Sequence, residues 1–200
     1  MTRSEEPLFR LASASPRRRL IFRLVGIPCL VSPANVEEEA SHADPARLCT
    51  GNARLKAAAA ASEPPRFTLG ADTIVVIDGR VLGKPADERE ARQMLETLSG
   101  RTHEVFTGWS LLDGDRTASE GHAVTSVSFR PLEPARIDDY VRAREWTDKA
   151  GGYAIQGLGA YLIESISGDP FNVMGLPVSQ VVQAFLDHDV IPRYPLQRPV

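Results

Sequence analysis

Cysteine is scarce in this 200-residue chain, and long apolar runs are absent. Cys29 and Cys49 are the only cysteines. They are too few for a disulfide framework, which makes a reducing compartment the simpler expectation. No stretch approaches the roughly 18 apolar residues of a membrane-spanning helix, and no apolar run follows the first residues as a signal peptide would require. These absences predict a soluble, cytoplasmic protein that does not associate with a membrane.

Motifs of several common enzyme classes are also missing. The sequence contains no phosphate-binding P-loop, and Gly157 and Gly159 do not complete a dinucleotide-binding fingerprint. Its four histidines and two cysteines lack the spacing of zinc ligands, and no Gly-x-Ser-x-Gly elbow or reactive-cysteine signature is present. A net charge of −3 argues against a surface devoted to nucleic-acid polymers, although a local basic cluster can still bind phosphate groups.

The order of predicted elements indicates an α/β fold. Hydrophobic residues make up 42% of the chain, which is enough for a core. Apolar spacing and turn residues predict a strand, a helix and a strand within residues 8–32, then a helix over 44–62 and a strand over 67–77. A helix over 86–98, a hairpin over 103–129, a helix over 133–144, a strand over 160–166 and a helix over 177–187 follow. We expect one domain over residues 1–200, with residues 189–200 as a loose tail.

The segment from Leu11 to Arg19 is the first candidate for chemistry. Ser13 and Ser15 are followed by a proline that suits the first position of a helix, and then by arginines at 17, 18 and 19. A helix N-terminus and nearby hydroxyls favour an anion, and a guanidinium can clamp phosphate oxygens. A capped helix with a solvated basic first turn is the alternative. Cations in a first turn oppose the helix dipole, however, so the phosphate interpretation is favoured.

Acidic residues form the second candidate. Asp72 stands inside an otherwise apolar strand, where a carboxylate is costly unless it is paired, hydrogen-bonded or bound to a metal. The alternative is an aspartate that caps neighbouring N–H groups. Glu37, Glu38 and Glu39 form a run that is usually a solvated loop, but a hard cation such as Mg²⁺ needs one or two carboxylates in addition to phosphate oxygens.

Three lysines and one glutamine complete the candidates. Lys56, Lys84 and Lys149 are widely spaced, and only their convergence on one anion would distinguish them from ordinary surface residues. Gln156 lies in a glycine-rich stretch where the backbone can approach a ligand. Its amide can donate and accept, so it could read the edge of a base or merely stabilise a turn.

Six short motifs in order resemble one family, the Maf proteins. They cover the chain from about residue 8 to residue 188: Ser13-Ala-Ser-Pro-Arg-Arg18, Ala71-Asp-Thr73, Gly83-Lys-Pro85, Leu98-Ser-Gly-Arg-Thr-His103 with Thr107-Gly108, Asp148-Lys-Ala-Gly-Gly-Tyr-Ala-Ile-Gln-Gly157, and Val173-Met-Gly-Leu-Pro177. The resemblance implies a Maf/inosine-triphosphatase-like fold, with an elongated mixed sheet, flanking helices and two lobes around a central cleft. It also implies cleavage of a nucleoside triphosphate between its α- and β-phosphates, and a homodimer.

Residue roles follow from the same resemblance. It makes Asp72 the proton acceptor, links Arg17, Thr73 and Gln156 to substrate recognition, and indicates Glu38 as the acidic residue after the second strand, with Glu37 as the alternative. We further expect a divalent metal, Mg²⁺ or Mn²⁺, held by Glu38 and Asp72 together with phosphate oxygens. The substrate-binding residues are expected to be Ser13, Ser15, Arg17, Arg18, Lys56, Thr73, Lys84, Lys149 and Gln156. Thr73 and Gln156 stand where relatives acting on 7-methyl-GTP tend to have other residues, and a neutral glutamine suits a uracil or thymine edge.

We therefore expect dTTP and UTP as substrates. A pyrophosphatase for modified purine nucleotides and a non-catalytic, nucleotide-sensing regulator of division are the alternatives.

Overall fold

A mixed sheet organises the residues described by the computed structural model, which are 6–40, 43–62 and 64–196. Within these ranges the sheet has seven strands: β1 (Phe9–Leu11), β2 (Cys29–Val31), β3 (Phe67–Ile77), β4 (Arg80–Leu82), β5 (Thr102–Asp113), β6 (Arg116–Phe129) and β7 (Ile163–Ser167). The strand order is β2-β1-β3-β5-β6-β7, and β4 adds to β3. β1 runs parallel to both β2 and β3, whereas the remaining pairs are antiparallel.

Helices flank this sheet and begin at recognisable sequence signals. They are α1 (Pro16–Leu24), α2 (Pro45–Ala60), α3 (Glu88–Leu98), α4 (Pro134–Arg142), α5 (Pro170–Met174) and α6 (Val178–Asp187), with 3₁₀ turns at Ala150–Gly152 and Gly157–Leu162. Proline occupies the first turn of α1, α2, α4 and α5, where its missing N–H costs nothing. Asp44 and Asp87 accept backbone N–H groups at the starts of α2 and α3.

The predicted α/β class is confirmed, with corrections in the C-terminal part. The strand predicted over residues 160–166 is a 3₁₀ turn up to Leu162, and β7 occupies Ile163–Ser167. Glu145 accounts for the turn, because its carboxylate accepts the backbone N–H groups of Leu158 and Gly159. β4 and α5 were not predicted. Val190 and Ile191 are buried against the core and so do not belong to a loose tail, while residues 197–200 of that prediction lie outside the described residues.

Helix α2 lies directly against β3 and β5, and two glycines permit this close approach. A Cβ atom at Gly70 would overlap the carbonyl oxygen of Ala53, and one at Gly108 would overlap the backbone of Cys49. Gly108 is also the register partner of Asp72. The glycines therefore bring the inner face of α2, with Asn52 and Lys56 one turn apart, up to the carboxylate on β3.

One edge of β3 is only partly covered by other strands. β5 pairs with β3 along nearly its whole length, from Phe67 to Val76. On the opposite edge, β1 pairs with residues 68–69 and β4 with residues 75–77. Among the described residues no strand covers the stretch between them. We call this stretch, residues 70–74, the β3 gap; Asp72 and Thr73 lie within it.

Candidate active site

A cleft of about 410 Å³ opens at the β3 gap. Apart from Gln156 and the alternative metal ligand Glu37, the predicted catalytic, metal-binding and substrate-binding residues all line this cleft: Ser13, Ser15, Arg17, Arg18, Glu38, Lys56, Asp72, Thr73, Lys84 and Lys149. These residues come from α1, α2, β3 and four connecting segments that lie far apart in sequence. Lys56, Lys84 and Lys149 therefore converge on one cleft, which distinguishes them from ordinary surface lysines.

The charge of the cleft is opposite in sign to that of the whole chain. Five basic and three acidic side chains line the cleft, whereas the chain carries a net charge of −3. Walls with an excess of one sign concentrate ligands of the other sign. The cleft is suited to an anion with several charges, such as a polyphosphate.

Lys56 joins two carboxylates on the side of the cleft formed by α2. Its ammonium nitrogen lies 2.6 Å from Asp72 Oδ1 and 3.0 Å from Glu38 Oε2. Burial raises the pKa of Asp72, but the charge and hydrogen bond of Lys56, with help from Arg18 and Asn52, outweigh burial and hold that pKa below its ordinary value. Asp72 is therefore ionised at neutral pH, and its side-chain bonds go to Lys56 and Asn52 rather than to the N–H groups of a cap.

Arg18 connects three parts of the cleft wall. Its Nε donates to the carbonyl oxygen of Gly175 at 2.7 Å, its Nη1 to Ser13 Oγ at 3.0 Å and its Nη2 to Thr73 Oγ1 at 3.1 Å. Burial lowers the pKa of Arg18 to about 10, so its guanidinium remains charged at neutral pH. Arg18 therefore stabilises the shape of the cleft while adding to its positive charge. Arg19, by contrast, is exposed.

A directed chain of hydrogen bonds continues from Arg18. Thr107 Oγ1 donates to the carbonyl oxygen of Asn172 at 2.9 Å, which uses the single hydrogen of that hydroxyl. Thr73 must therefore be the donor in its 2.9 Å bond with Thr107, and it accepts from Arg18. The Asn172 side chain then donates to Val105 O and Thr125 Oγ1. This chain fixes α5, whose residues Val173 and Met174 line the cleft.

Other polar groups of the cleft remain available to bind an anion. Ser13 Oγ accepts from Ser15 N and Arg18 Nη1, so its own hydrogen remains available to a ligand. Burial lowers the pKa of Arg17, an effect that the charge of Asp148 opposes. Burial also lowers the pKa of Lys149, and the positive charge of Arg17 adds to this decrease. Neighbouring cations such as Arg17 and Lys149 gain stability when an anion binds between them.

The acidic side of the cleft fits a hard cation only in part. Glu38 and Asp72 approach the same point through Lys56, and Glu37 is not part of the cleft lining. Among the described residues there is no cluster of three or more histidine, cysteine or acidic side chains that could hold a metal ion by itself. Two carboxylates together with phosphate oxygens are nevertheless the donors that Mg²⁺ usually takes, so the residues fit a metal that arrives with the substrate.

Gln156 is the predicted substrate-binding residue that is not part of the cleft lining. It is exposed, although its neighbours Ala154 and Ile155 contribute to the lining. Three polar residues that line or adjoin the cleft were not among the predicted site residues: Asn52, Asp148 and Tyr153. The position of Asn52 four residues before Lys56 was a usable signal, because residues i and i+4 share one face of a helix.

Comparison with known proteins shows the family of this chain. The family model described as Maf-like protein matches residues 9–188. The chain belongs to the Maf family. It is 53% identical to the dTTP/UTP pyrophosphatase of Symbiobacterium thermophilum, over 86% of this chain and 90% of that relative. It is 47% identical to the dTTP/UTP pyrophosphatase of Pyrococcus furiosus, over 86% and 91%.

One solved structure is also similar in outline. The nucleoside-triphosphatase / dITP/XTP pyrophosphatase from Mycobacterium abscessus aligns with a TM-score of 0.43 at 13% identity, over 94% of this chain and 99% of that chain. No helix among the described residues is long and apolar enough to cross a membrane.

Proposed function

We propose that this Maf protein hydrolyses dTTP and UTP to the nucleoside monophosphate and pyrophosphate. The observation that carries the proposal is the Glu38–Lys56–Asp72 cluster, which lies at the β3 gap in a cleft with an excess of positive charge. The names of the relatives, dTTP/UTP pyrophosphatases at 47% to 53% identity, support the choice of substrate. The single two-lobed domain, the cytoplasmic location and the homodimer stay predictions.

The basic residues and the serines would bind the triphosphate. Arg17, Lys84 and Lys149 line the cleft together with Ser13 and Ser15, and the Ser13 hydroxyl retains a hydrogen to donate. These groups neutralise charge as it accumulates on the departing pyrophosphate, which lowers the barrier to cleavage. Ser15 lies at the helix start, where its side chain makes no capping bond and is available to a phosphate oxygen.

Asp72 would accept a proton from the attacking water. Its carboxylate is held ionised by Lys56, and the residue as a whole is only 6% exposed, so the orientation of the carboxylate is fixed before the substrate arrives. A carboxylate of low pKa is a weak base at neutral pH. The reaction therefore needs a second source of activation.

Glu38 and Asp72 would hold Mg²⁺ or Mn²⁺ together with phosphate oxygens. When bound there, such an ion supplies charge neutralisation and lowers the pKa of a water molecule that it coordinates. Lys56 keeps the two carboxylates near each other without the metal, because it bonds to both of them.

An apolar part of the cleft would receive the base. Val75 and Val105 are register partners in β3 and β5, and with Tyr153 they line the cleft on the side of the sheet opposite Asp72. The Thr73 hydroxyl already donates its hydrogen bond to Thr107, so it can only accept a hydrogen bond from a ligand. Gln156 would read the uracil or thymine edge at the mouth of this region, beside Ala154 and Ile155.

A nucleotide panel tests the proposal. Pyrophosphate release is measured with Mg²⁺ and with Mn²⁺ for dTTP, UTP, dCTP, GTP and 7-methyl-GTP, and we expect dTTP and UTP to give the highest kcat/KM. Asp72→Asn should abolish turnover and leave nucleotide binding largely intact. A preference for purine nucleotides would contradict the substrate assignment. Binding without release of pyrophosphate from any nucleotide would indicate a sensor, and wild-type rates in Asp72→Asn would exclude this mechanism.

A further inference from the structure

Asn52 is a buried amide whose hydrogen bonds reach both acidic parts of the cleft. It lies on α2 one turn before Lys56 and is 2% exposed. Its Nδ2 donates to Asp72 Oδ2 at 3.3 Å and to the carbonyl oxygen of Glu39 at 3.0 Å, and its Oδ1 accepts the N–H of Glu39 at 2.9 Å. Both hydrogens of the amide are therefore used, and so is its oxygen.

The segment that Asn52 holds has little regular structure of its own. Residues 32–40 form neither helix nor strand, and residues 37–40 are exposed. Asn52 bonds to both backbone groups of Glu39, as a neighbouring strand would. The residue just before Glu39 is Glu38, whose carboxylate reaches Lys56. The bond to Glu39 therefore fixes the point from which the Glu38 side chain extends.

We infer that Asn52 is a positioning residue that sets the two carboxylates, Asp72 and Glu38, relative to Lys56. It orients Asp72 by a direct hydrogen bond, and it places Glu38 through the backbone of Glu39. The inference rests on the proposed function for its consequence in catalysis, whereas the two contacts themselves can be tested without turnover.

Only an amide of this length can accept from Glu39 N and also donate to both Glu39 O and Asp72 Oδ2. An aspartate could accept from Glu39 N, but it could not donate to Glu39 O, and its charge would face Asp72. An aliphatic side chain would leave the Glu39 backbone and one oxygen of Asp72 without these bonds. The two substitutions Asn52→Asp and Asn52→Ala therefore remove different parts of the interaction and predict different results.

The first measurements use the whole protein without nucleotide. Hydrogen exchange at the Glu39 amide should be at least about tenfold faster in Asn52→Ala than in the wild type, because its acceptor is lost. Asn52→Asp keeps that acceptor and should retain most of the protection. The ¹³C NMR titration of the Asp72 carboxyl should shift to higher pH in both variants, and further in Asn52→Asp, where a like charge is added. Arg54→Ala, an exposed position on the same helix, is the matched control and should resemble the wild type.

Kinetics then test the consequence for the reaction, well below the Tm of each variant. We expect kcat for dTTP to fall about 10²-fold in Asn52→Ala with a much smaller change in KM, because a small misplacement of catalytic groups lowers turnover more than binding. Wild-type exchange at Glu39, an unshifted Asp72 titration and a kcat within about twofold of wild type in both variants would overturn the inference. A wild-type protein with no turnover would refute the proposed function instead, and the exchange and titration results would still decide the role of Asn52.

Discussion

Lys56 Nζ lies 2.6 Å from Asp72 Oδ1, deep in a cleft where the Lys56 side chain is 12% exposed and that of Asp72 is 9% exposed. Their elements come together because Gly70 and Gly108 allow α2 to approach the sheet without intervening side chains. When a carboxylate and an ammonium group are both removed from water, the loss of one leaves the other as an uncompensated buried charge, which destabilises the fold. This dependence gives the first prediction.

Lys56→Met should reduce both stability and activity. It leaves the Asp72 carboxylate buried beside Asn52 and Arg18 only, so the pKa of Asp72 should rise. Loss of one partner of a buried pair costs about 3 kcal/mol of unfolding free energy, and kcat should fall at least about 10²-fold. Urea unfolding and steady-state kinetics check these outcomes. Lys84→Met, at an exposed position, should leave the unfolding free energy unchanged, and equal stability losses in the two variants would contradict the pairing.

Gly108→Ala should destabilise the fold through a clash with a helix backbone. The added Cβ would overlap Cys49 and Thr50, and rigid backbone atoms cannot move aside cheaply. We expect a loss of about 3 kcal/mol in urea unfolding. Gly51→Ala is the matched control on α2, because nothing lies within 4 Å of its added Cβ, and it should gain up to about 1 kcal/mol. A Gly108→Ala protein as stable as the wild type would show that α2 does not lie this close to β5.

Arg18→Lys and Arg17→Lys should separate structural support from ligand binding. A lysine cannot donate from three nitrogens to Gly175, Ser13 and Thr73, so Arg18→Lys should lose about 2 kcal/mol of stability. Arg17→Lys should have a much smaller effect on stability and should raise KM for dTTP. Thermal unfolding and kinetics on the same preparations check both results, and the reverse assignment of the two effects would refute this division of roles.

His103→Gln should weaken the pH dependence of stability. Burial lowers the pKa of His103 to about 4 from its ordinary value of 6.5, and its Nε2 shares a 2.7 Å hydrogen bond with the Tyr153 hydroxyl. Between these two pKa values the unfolded chain binds a proton that the folded protein does not, so folding stability falls as the pH decreases through this window. From pH 7 to pH 5 the contribution of His103 amounts to about 2 kcal/mol.

Urea unfolding at pH 7 and pH 5 tests this contribution. The loss of stability between the two pH values should be smaller in His103→Gln than in the wild type by about that amount. Glutamine can retain a hydrogen bond to Tyr153 but does not titrate. An identical loss in both proteins would mean that His103 is not the group responsible.

Much of the cleft could be predicted from the sequence because its residues violate local expectations. Asp72 interrupts an apolar strand, and arginines follow Ser15 in the first turn of a helix, where the dipole disfavours them. The structure brings both features to one cleft. The lysines had no such signal, and their convergence depends on the packing of α2 and on the connections after β4 and α4.

Other features could not be predicted because they depend on tertiary contacts. The three bonds of Asn52 exist only when the Glu39 backbone and Asp72 meet on the same side of α2. The strand predicted over residues 160–166 is present only from Ile163 onward for a similar reason, since the Glu145 carboxylate holds Leu158 and Gly159 in a turn. Gln156 adjoins that turn and is exposed, so its predicted contact with a base stays a prediction.

Product analysis with dTTP tests the central claim most directly. The wild-type protein is incubated with dTTP and Mg²⁺ or Mn²⁺, and the nucleotide and phosphate products are separated by anion-exchange chromatography. Cleavage between the α- and β-phosphates predicts dTMP and pyrophosphate in equal amounts, and neither product with Asp72→Asn. Formation of dTDP and inorganic phosphate, or recovery of intact dTTP from the wild-type reaction, would contradict the account.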